Sequence, residues 1–252
     1  MKSYPTSVQL YSVREEAKLD FPATLKKIAS MGFVAVEFAG YHNVPLKELR
    51  KILDTLSLKA SSTHGALPDE SNIRDIAEAA HTLGFTRHIC GRGDAFFASE
   101  EECKKTAALL ENAAQMLKKE GLTFGYHNHW WEFDKNFNGK LPMEVVAENA
   151  PSMFLQVDTY WVKVAGQEPS DFIKKYKARI PTLHIKDGPL NRDLPMTAVG
   201  EGKMNWKPII EAADPATLEY LVVELDRCGT DMGEAVKKSI SYLVKQGYGR
   251  SR

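Results

Sequence analysis

What this chain does without narrows its range of functions. It has no excess charge of either sign: 33 lysines and arginines balance 33 aspartates and glutamates over 252 residues. A neutral surface offers nucleic acid or an anionic membrane no general attraction, so neither is an expected partner. No apolar run approaches the ~18 residues of a membrane span. The 3 cysteines, Cys90, Cys103 and Cys228, are an odd number without CxxC or CxxxH spacing. That argues against a disulfide framework and fits a reducing compartment. The opening residues Met-Lys-Ser-Tyr-Pro-Thr-Ser-Val-Gln lack the apolar stretch of a secretory signal, so a cytoplasmic protein is expected. A phosphate-binding glycine loop is missing as well. Gly200-Glu-Gly-Lys203 is superficially like one, but Thr197 and Met204 stand where a Walker motif requires glycine and a hydroxyl residue.

What is present is an alternation of short apolar strands with amphipathic helices. Strands are expected over Ser7–Ser12, Val34–Ala39, Ala60–Thr63, His88–Cys90, Thr123–Asn128, Leu155–Asp158, Thr182–Lys186 and Leu221–Leu225. Helical patterns lie between and after them: Phe21–Met31, Pro45–Leu56, Ile73–Leu83, Glu100–Lys119, Met143–Asn149, Ser170–Ala178, Trp206–Ala212 and Gly233–Lys245. Gly32, Gly84, Gly121 and Gly247 punctuate helix ends, and Asp20, Asn72, Ser99, Ser170 and Asn205 are candidate N-caps. Such alternation means parallel strands joined by right-handed crossovers. Eight repeats in a chain of this length predict one α/β domain over residues 1–252, a (β/α)8 TIM barrel, for which ~250 residues is typical. A doubly wound open sheet is the alternative, and it would want the glycine-rich turn that is missing.

Side chains of a barrel strand alternate between the lumen and the helix layer. Gly125, His127 and His129 share one parity, opposite Phe124 and Tyr126; Gln156 and Asp158 share another, as do Thr182, His184 and Lys186. The small and polar sets are expected inside. In a (β/α)8 barrel the active site lies at the C-terminal ends of the strands. There His127, Asp158, His184 and Glu224, from the fifth to eighth strands, would meet as two imidazoles and two carboxylates. That set suits one divalent cation; the bland reading is four separate hydrogen-bonding residues at the rim.

The pieces Tyr126-His-Asn-His-Trp-Trp-Glu-Phe133, Asp158-Thr-Tyr-Trp161, Leu183-His-Ile-Lys-Asp-Gly188 and Val199-Gly-Glu-Gly-Lys-Met-Asn-Trp206 carry a resemblance. With them, the whole chain resembles the xylose-isomerase-like barrels of the sugar phosphate isomerase and epimerase superfamily. That superfamily also holds inosose dehydratase and endonuclease IV. The resemblance implies a metal-dependent isomerase or epimerase of a small sugar, keto-sugar or sugar derivative. Its epimerases bind one divalent metal through Glu, Asp, His and Glu. Asp158, His184 and Glu224 match the last three, while His127 stands where the first Glu is usual. His129 and Glu132 are alternative ligands there. The exchange adds a nitrogen donor, which favours Mn, Co, Zn or Fe over Mg.

The family's paired acid and base leave Glu224 as one catalytic residue here; Glu132, His64 and Lys186 are candidates for its partner. Removing a proton α to a carbonyl yields an enediolate, which a bound cation stabilises, and the same parts would support dehydration of a keto-polyol. Glu37, His129, Trp161 and Lys186 are candidate substrate-binding residues, with rim salt bridges, loop packing and a Lys186–Asp187 pair as the plain alternatives. His88 reads as a buried, hydrogen-bonded histidine. An endonuclease IV-like activity would need a histidine at position 161, which is Trp161. A non-catalytic sugar-binding barrel is a further alternative, and assembly, a homo-oligomer included, is left open.

Overall fold

The computed structural model describes residues 2–252. Eight parallel strands close into a barrel: β1 (Tyr4–Gln9), β2 (Ala35–Phe38), β3 (Lys59–His64), β4 (Arg87–Cys90), β5 (Thr123–His127), β6 (Phe154–Asp158), β7 (Thr182–Ile185) and β8 (Tyr220–Val223). Closure is made by β1, which pairs with β2 on one side and β8 on the other. A two-residue strand, β9 (Gly249–Arg250), adds to Tyr4 and Pro5 at the start of β1. The ring of helices comprises α1 (Arg14–Leu19), α2 (Phe21–Ser30), α3 (Leu46–Thr55), α4 (Ile73–Leu83), α5 (Glu100–Lys119), α6 (Pro142–Asn149), α7 (Thr159–Val164), α8 (Pro169–Tyr176), α9 (Trp206–Ala212) and α10 (Met232–Lys245). Among the described residues no helix is long and apolar enough to cross a membrane.

Several element boundaries differ from the sequence expectation. The first strand ends at Gln9 rather than Ser12, because Gln9 turns its side-chain oxygen to the Tyr11 N–H and starts a 3-10 turn over Leu10–Val13. The expected caps Asn72 and Asn205 make no side-chain cap bond, and Pro169 starts α8 one residue before Ser170. Proline suits that first turn because its missing N–H has no partner there.

Helix α5 shows how the outer layer is specified. Ser99 accepts from the Glu102 N–H at its start, Glu100–Glu102 lie at the positive end and Lys118 and Lys119 at the negative end. Cys103, Thr106, Ala107, Leu110, Ala113, Ala114 and Leu117 form the buried stripe, at the three- and four-residue spacing of one helix face. The remaining charged face is solvated.

The lumen carries its charged side chains towards the C-terminal ends of the strands, with the hydroxyls of Ser7, Ser61 and Thr182 and the Phe154 ring below them. Phe154, on the inward parity of β6, fills the lower barrel where its register partner is Gly125. A Cβ at Gly125 would stand 2.2 Å from the Phe154 ring, so this strand position accepts only glycine without repacking. Above it, the register sets His127 beside Gln156 and Asp158 beside His184. Between β2 and β3 the register shifts by one residue, so that Ser61 bonds Ser7 while Ser62 reaches Glu37.

Candidate active site

Parallel pairing brings the ends of β5 to β8 round one point. One ligand atom from each of His127, Asp158, His184 and Glu224 lies within 4.8 Å of the other three, and all four residues are buried. His64, His127 and His184 form a second such group. Each imidazole is aimed by the layer beneath it. His184 Nε2 donates to Glu37 Oε1 at 2.6 Å, leaving Nδ1 facing Glu224 Oε2 at 2.8 Å. His127 Nδ1 donates to Gln156 Oε1 at 3.1 Å, which turns Nε2 towards Asp158 Oδ2, 3.8 Å away. Both arrangements follow the usual pattern of metal-binding histidines, whose second nitrogen donates to a carboxylate or amide oxygen that fixes tautomer and ring angle.

Asp158 is held from both directions. Its Oδ1 accepts from the Trp161 N–H at 3.0 Å, starting α7, while Asn128 bonds the backbone N–H and carbonyl of Asp158 and ties β5 to β6. Its Oδ2 is buried with no hydrogen-bond partner. The Lys186 ammonium lies 3.0 Å from it, a charge contact outside hydrogen-bond geometry, and a divalent cation would satisfy the lone pairs which that contact leaves unpaired. The donor set, the oriented rings and this oxygen fit one divalent metal ion.

The charges are unequally distributed. Burial disfavours the His184 cation, but Glu37 and Glu224 reverse this and raise its pKa to about 10. Burial, with repulsion from His184, His129, His64 and Lys186, pushes His127 well below the ordinary histidine value, so it is a neutral lone-pair donor. Burial opposes ionisation of Glu37 and Glu224. The facing His64 and His184 nevertheless hold Glu37 well below the carboxylate range, and Lys186 with His184 do the same to Glu224. Asp158 is the exception: burial prevails over Lys186 and His184 and raises its pKa.

Above the cluster opens a cavity of about 830 Å³. Glu224 and Asp226 line one side, and His64, His127 and His129 line the side formed by β3 and β5. His129 stacks on Trp131 at 4.2 Å, and Trp130 meets Trp161 at 4.8 Å, making an aromatic wall. His64 Nε2 is committed to Gln156 at 2.6 Å and Glu37 at 3.1 Å.

Not every residue singled out from the sequence comes to this point. Glu37 lies under the cluster rather than in the cavity: its two oxygens face Gln9, His64, His184, Ser62 and Gln156. Glu132 is turned away, accepting from Tyr126 Oη at 2.8 Å and the His129 N–H at 2.8 Å. His88 bonds the Ala66 carbonyl outside the cluster. Lys186 does not pair with Asp187. Its Nζ contacts Asp158, Glu224 and Asp226, while Asp187 accepts from the N–H groups of Gly188, Gly200 and Met204 and from Trp206 Nε1, anchoring the loop after β7. Two participants were not singled out as site residues, Gln156 and Asp226. Each lies two residues from one that was, on the same parity, and that spacing is the signal that points to them.

The chain is similar to known proteins along most of its length. It is 25% identical over 174 residues to an inosose dehydratase of Clostridium perfringens, covering 60% of this chain and 54% of that one; the chain thus spans about half the length of this relative. Against an inosose dehydratase of Clostridium botulinum it is 21% identical, with 89% and 87% covered. The crystal structure of a sugar phosphate isomerase/epimerase from Parabacteroides distasonis superposes with a TM-score of 0.80 at 24% identity, covering 96% of this chain and 98% of that one. Residues 25–246 match the xylose isomerase-like TIM barrel family, and the chain belongs to it.

Proposed function

We propose that this protein is a metal-dependent lyase that removes water from a keto-polyol, a reading that the inosose dehydratase relatives support. The observation that carries it is the asymmetry of the cavity. Its carboxylates, Glu224 and Asp226, stand on one side, and the opposite side presents imidazoles and no second carboxylate. Moving a proton between the two faces of a carbon calls for a base on each side. Elimination needs one base and one acid for the departing hydroxyl.

Glu224 is the proposed base. In the metal-free protein Lys186 and His184 keep its carboxylate ionised and both engage Oε2; a metal ion would take that same oxygen, which leaves Oε1 for the proton α to the carbonyl. His64 is the proposed acid: with Nε2 committed below, Nδ1 is the nitrogen left to protonate the hydroxyl on the neighbouring carbon. The α C–H and the β C–O bonds break, a C=C bond forms, and water departs with the proton from His64. Glu224 then returns its proton to solvent, and His64 takes one up from it.

The proposed ligands are His127, Asp158, His184 and Glu224, and two imidazoles among them favour Mn, Co, Zn or Fe over Mg. A divalent ion held there supplies Lewis-acid stabilisation of the oxyanion formed at the carbonyl. His129 and Trp161 are proposed to pack against the substrate carbon skeleton. Glu37 and Glu132 are proposed to position the cluster and the loop after β5.

The test is incubation of the Mn²⁺-supplemented protein with a keto-inositol in D2O, followed by mass spectrometry. Loss of one water, abolished by Glu224→Gln in a protein that remains folded by circular dichroism, is the expected result. A deuterated product of unchanged composition would instead establish the isomerase or epimerase reading. The similarity to a sugar phosphate isomerase/epimerase fold keeps that reading second.

A further inference from the structure

Lys186 is the largest charged side chain fully inside the protein, with 1% of its surface exposed. Its Nζ stands 3.0 Å from Asp158 Oδ2, 2.7 Å from Glu224 Oε2 and 3.0 Å from both oxygens of Asp226. Asp158 and Glu224 belong to the four-residue cluster, and Asp226 does not. One ammonium therefore neutralises the same two carboxylates that the cluster offers to a dication. Its contact with Asp158 Oδ2 lacks hydrogen-bond geometry. That is a charge contact, weaker in direction than the bonds Lys186 makes to Asp226. Buried carboxylates require a counter-charge, and two cations drawn to one oxygen pair repel each other strongly where water is excluded.

We propose that Lys186 is an exchangeable counter-cation: it holds Asp158 and Glu224 together in the metal-free protein, competes with a divalent ion for them, and retreats to Asp226 when that ion binds. Metal affinity in this barrel is then set as much by the lysine and its parking carboxylate as by the ligands. The inference rests on the cluster being a metal site, and the experiment separates the two.

Mn²⁺ binding is measured by calorimetry at pH 7.5 on the full chain, in the wild type, Lys186→Met, Asp226→Asn and the double variant. Lys186→Met is expected to bind at least tenfold tighter. It should also melt lower than the wild type in EDTA, yet gain more in melting temperature on adding Mn²⁺. Asp226→Asn is expected to bind more weakly, because the ammonium loses its retreat. In the Lys186→Met background the same change should have a much smaller effect. If the wild type binds Mn²⁺ and Lys186→Met binds no tighter, competition is overturned while the metal site stands. An Asp226→Asn effect of equal size in both backgrounds would overturn the retreat, since it would then report only a lost distant charge. Absence of binding in every protein would overturn the metal site itself. Should Lys186→Met not fold, Lys186→Gln takes its place, and the Asp226→Asn direction still tests the retreat.

Discussion

His184 and Glu37 meet across the barrel lumen, Nε2 to Oε1 at 2.6 Å, between strands that are not neighbours in the sheet. The contact sets which ring nitrogen turns to Asp158 and Glu224. Together with Glu224 it also keeps a second proton on His184, at Nδ1, which a metal ion would have to displace.

Glu37→Gln tests the first consequence. The amide would keep the volume but place an N–H₂ among five groups that now approach the carboxylate. Loss of such an outer carboxylate lowers metal affinity by roughly 10- to 100-fold. Calorimetric titration with Mn²⁺ checks this, and affinity within a factor of two of the wild type would remove Glu37 from the role.

The second consequence is proton release. In the metal-free protein His184 keeps its proton up to about pH 10, against an ordinary value of 6.5. Between those limits, binding through His184 expels one proton, so affinity should rise about tenfold per pH unit. The linked stability runs the other way. A raised pKa stabilises the metal-free fold fully below about pH 6.5, and that contribution is lost as pH climbs through 10. Titrations in buffers of different ionisation enthalpy measure the released proton, and melting in EDTA from pH 7 to 10 follows the stability. A pH-independent affinity over this window would show that His184 is neutral before the metal arrives.

Gly125→Ala probes the lower barrel without touching the cluster. The new methyl group would sit 2.2 Å from the Phe154 ring, and overpacking of this kind costs about 1–3 kcal/mol. For a protein of this size each kcal/mol lowers the melting temperature by roughly 2–4 °C. Thermal unfolding of the purified variant reads the effect directly, and Phe154→Leu should restore part of the loss in the double variant.

Strand and helix periodicity determined the barrel, because lumen parity and helix stripes are local properties of consecutive residues. His127, Asp158, His184 and Glu224 were legible for the same reason: each lies at the C-terminal end of a strand or one residue from it, and parallel strands put those ends on one face. Contacts across the lumen were not legible. Sequence spacing says nothing of how strand register joins Glu37 of β2 to His184 of β7, or Gln156 of β6 to His64 of β3. The aim of Lys186 was equally closed to a linear reading. Lys186 was a candidate for substrate binding, with its neighbour Asp187 as the plain alternative partner, yet residues adjacent in an extended segment point to opposite faces. Asp187 goes out to hold the loop and Lys186 goes in to the carboxylates. Local sequence thus decided which side chains enter the barrel, and closure of the sheet decided which of them share a proton or a charge.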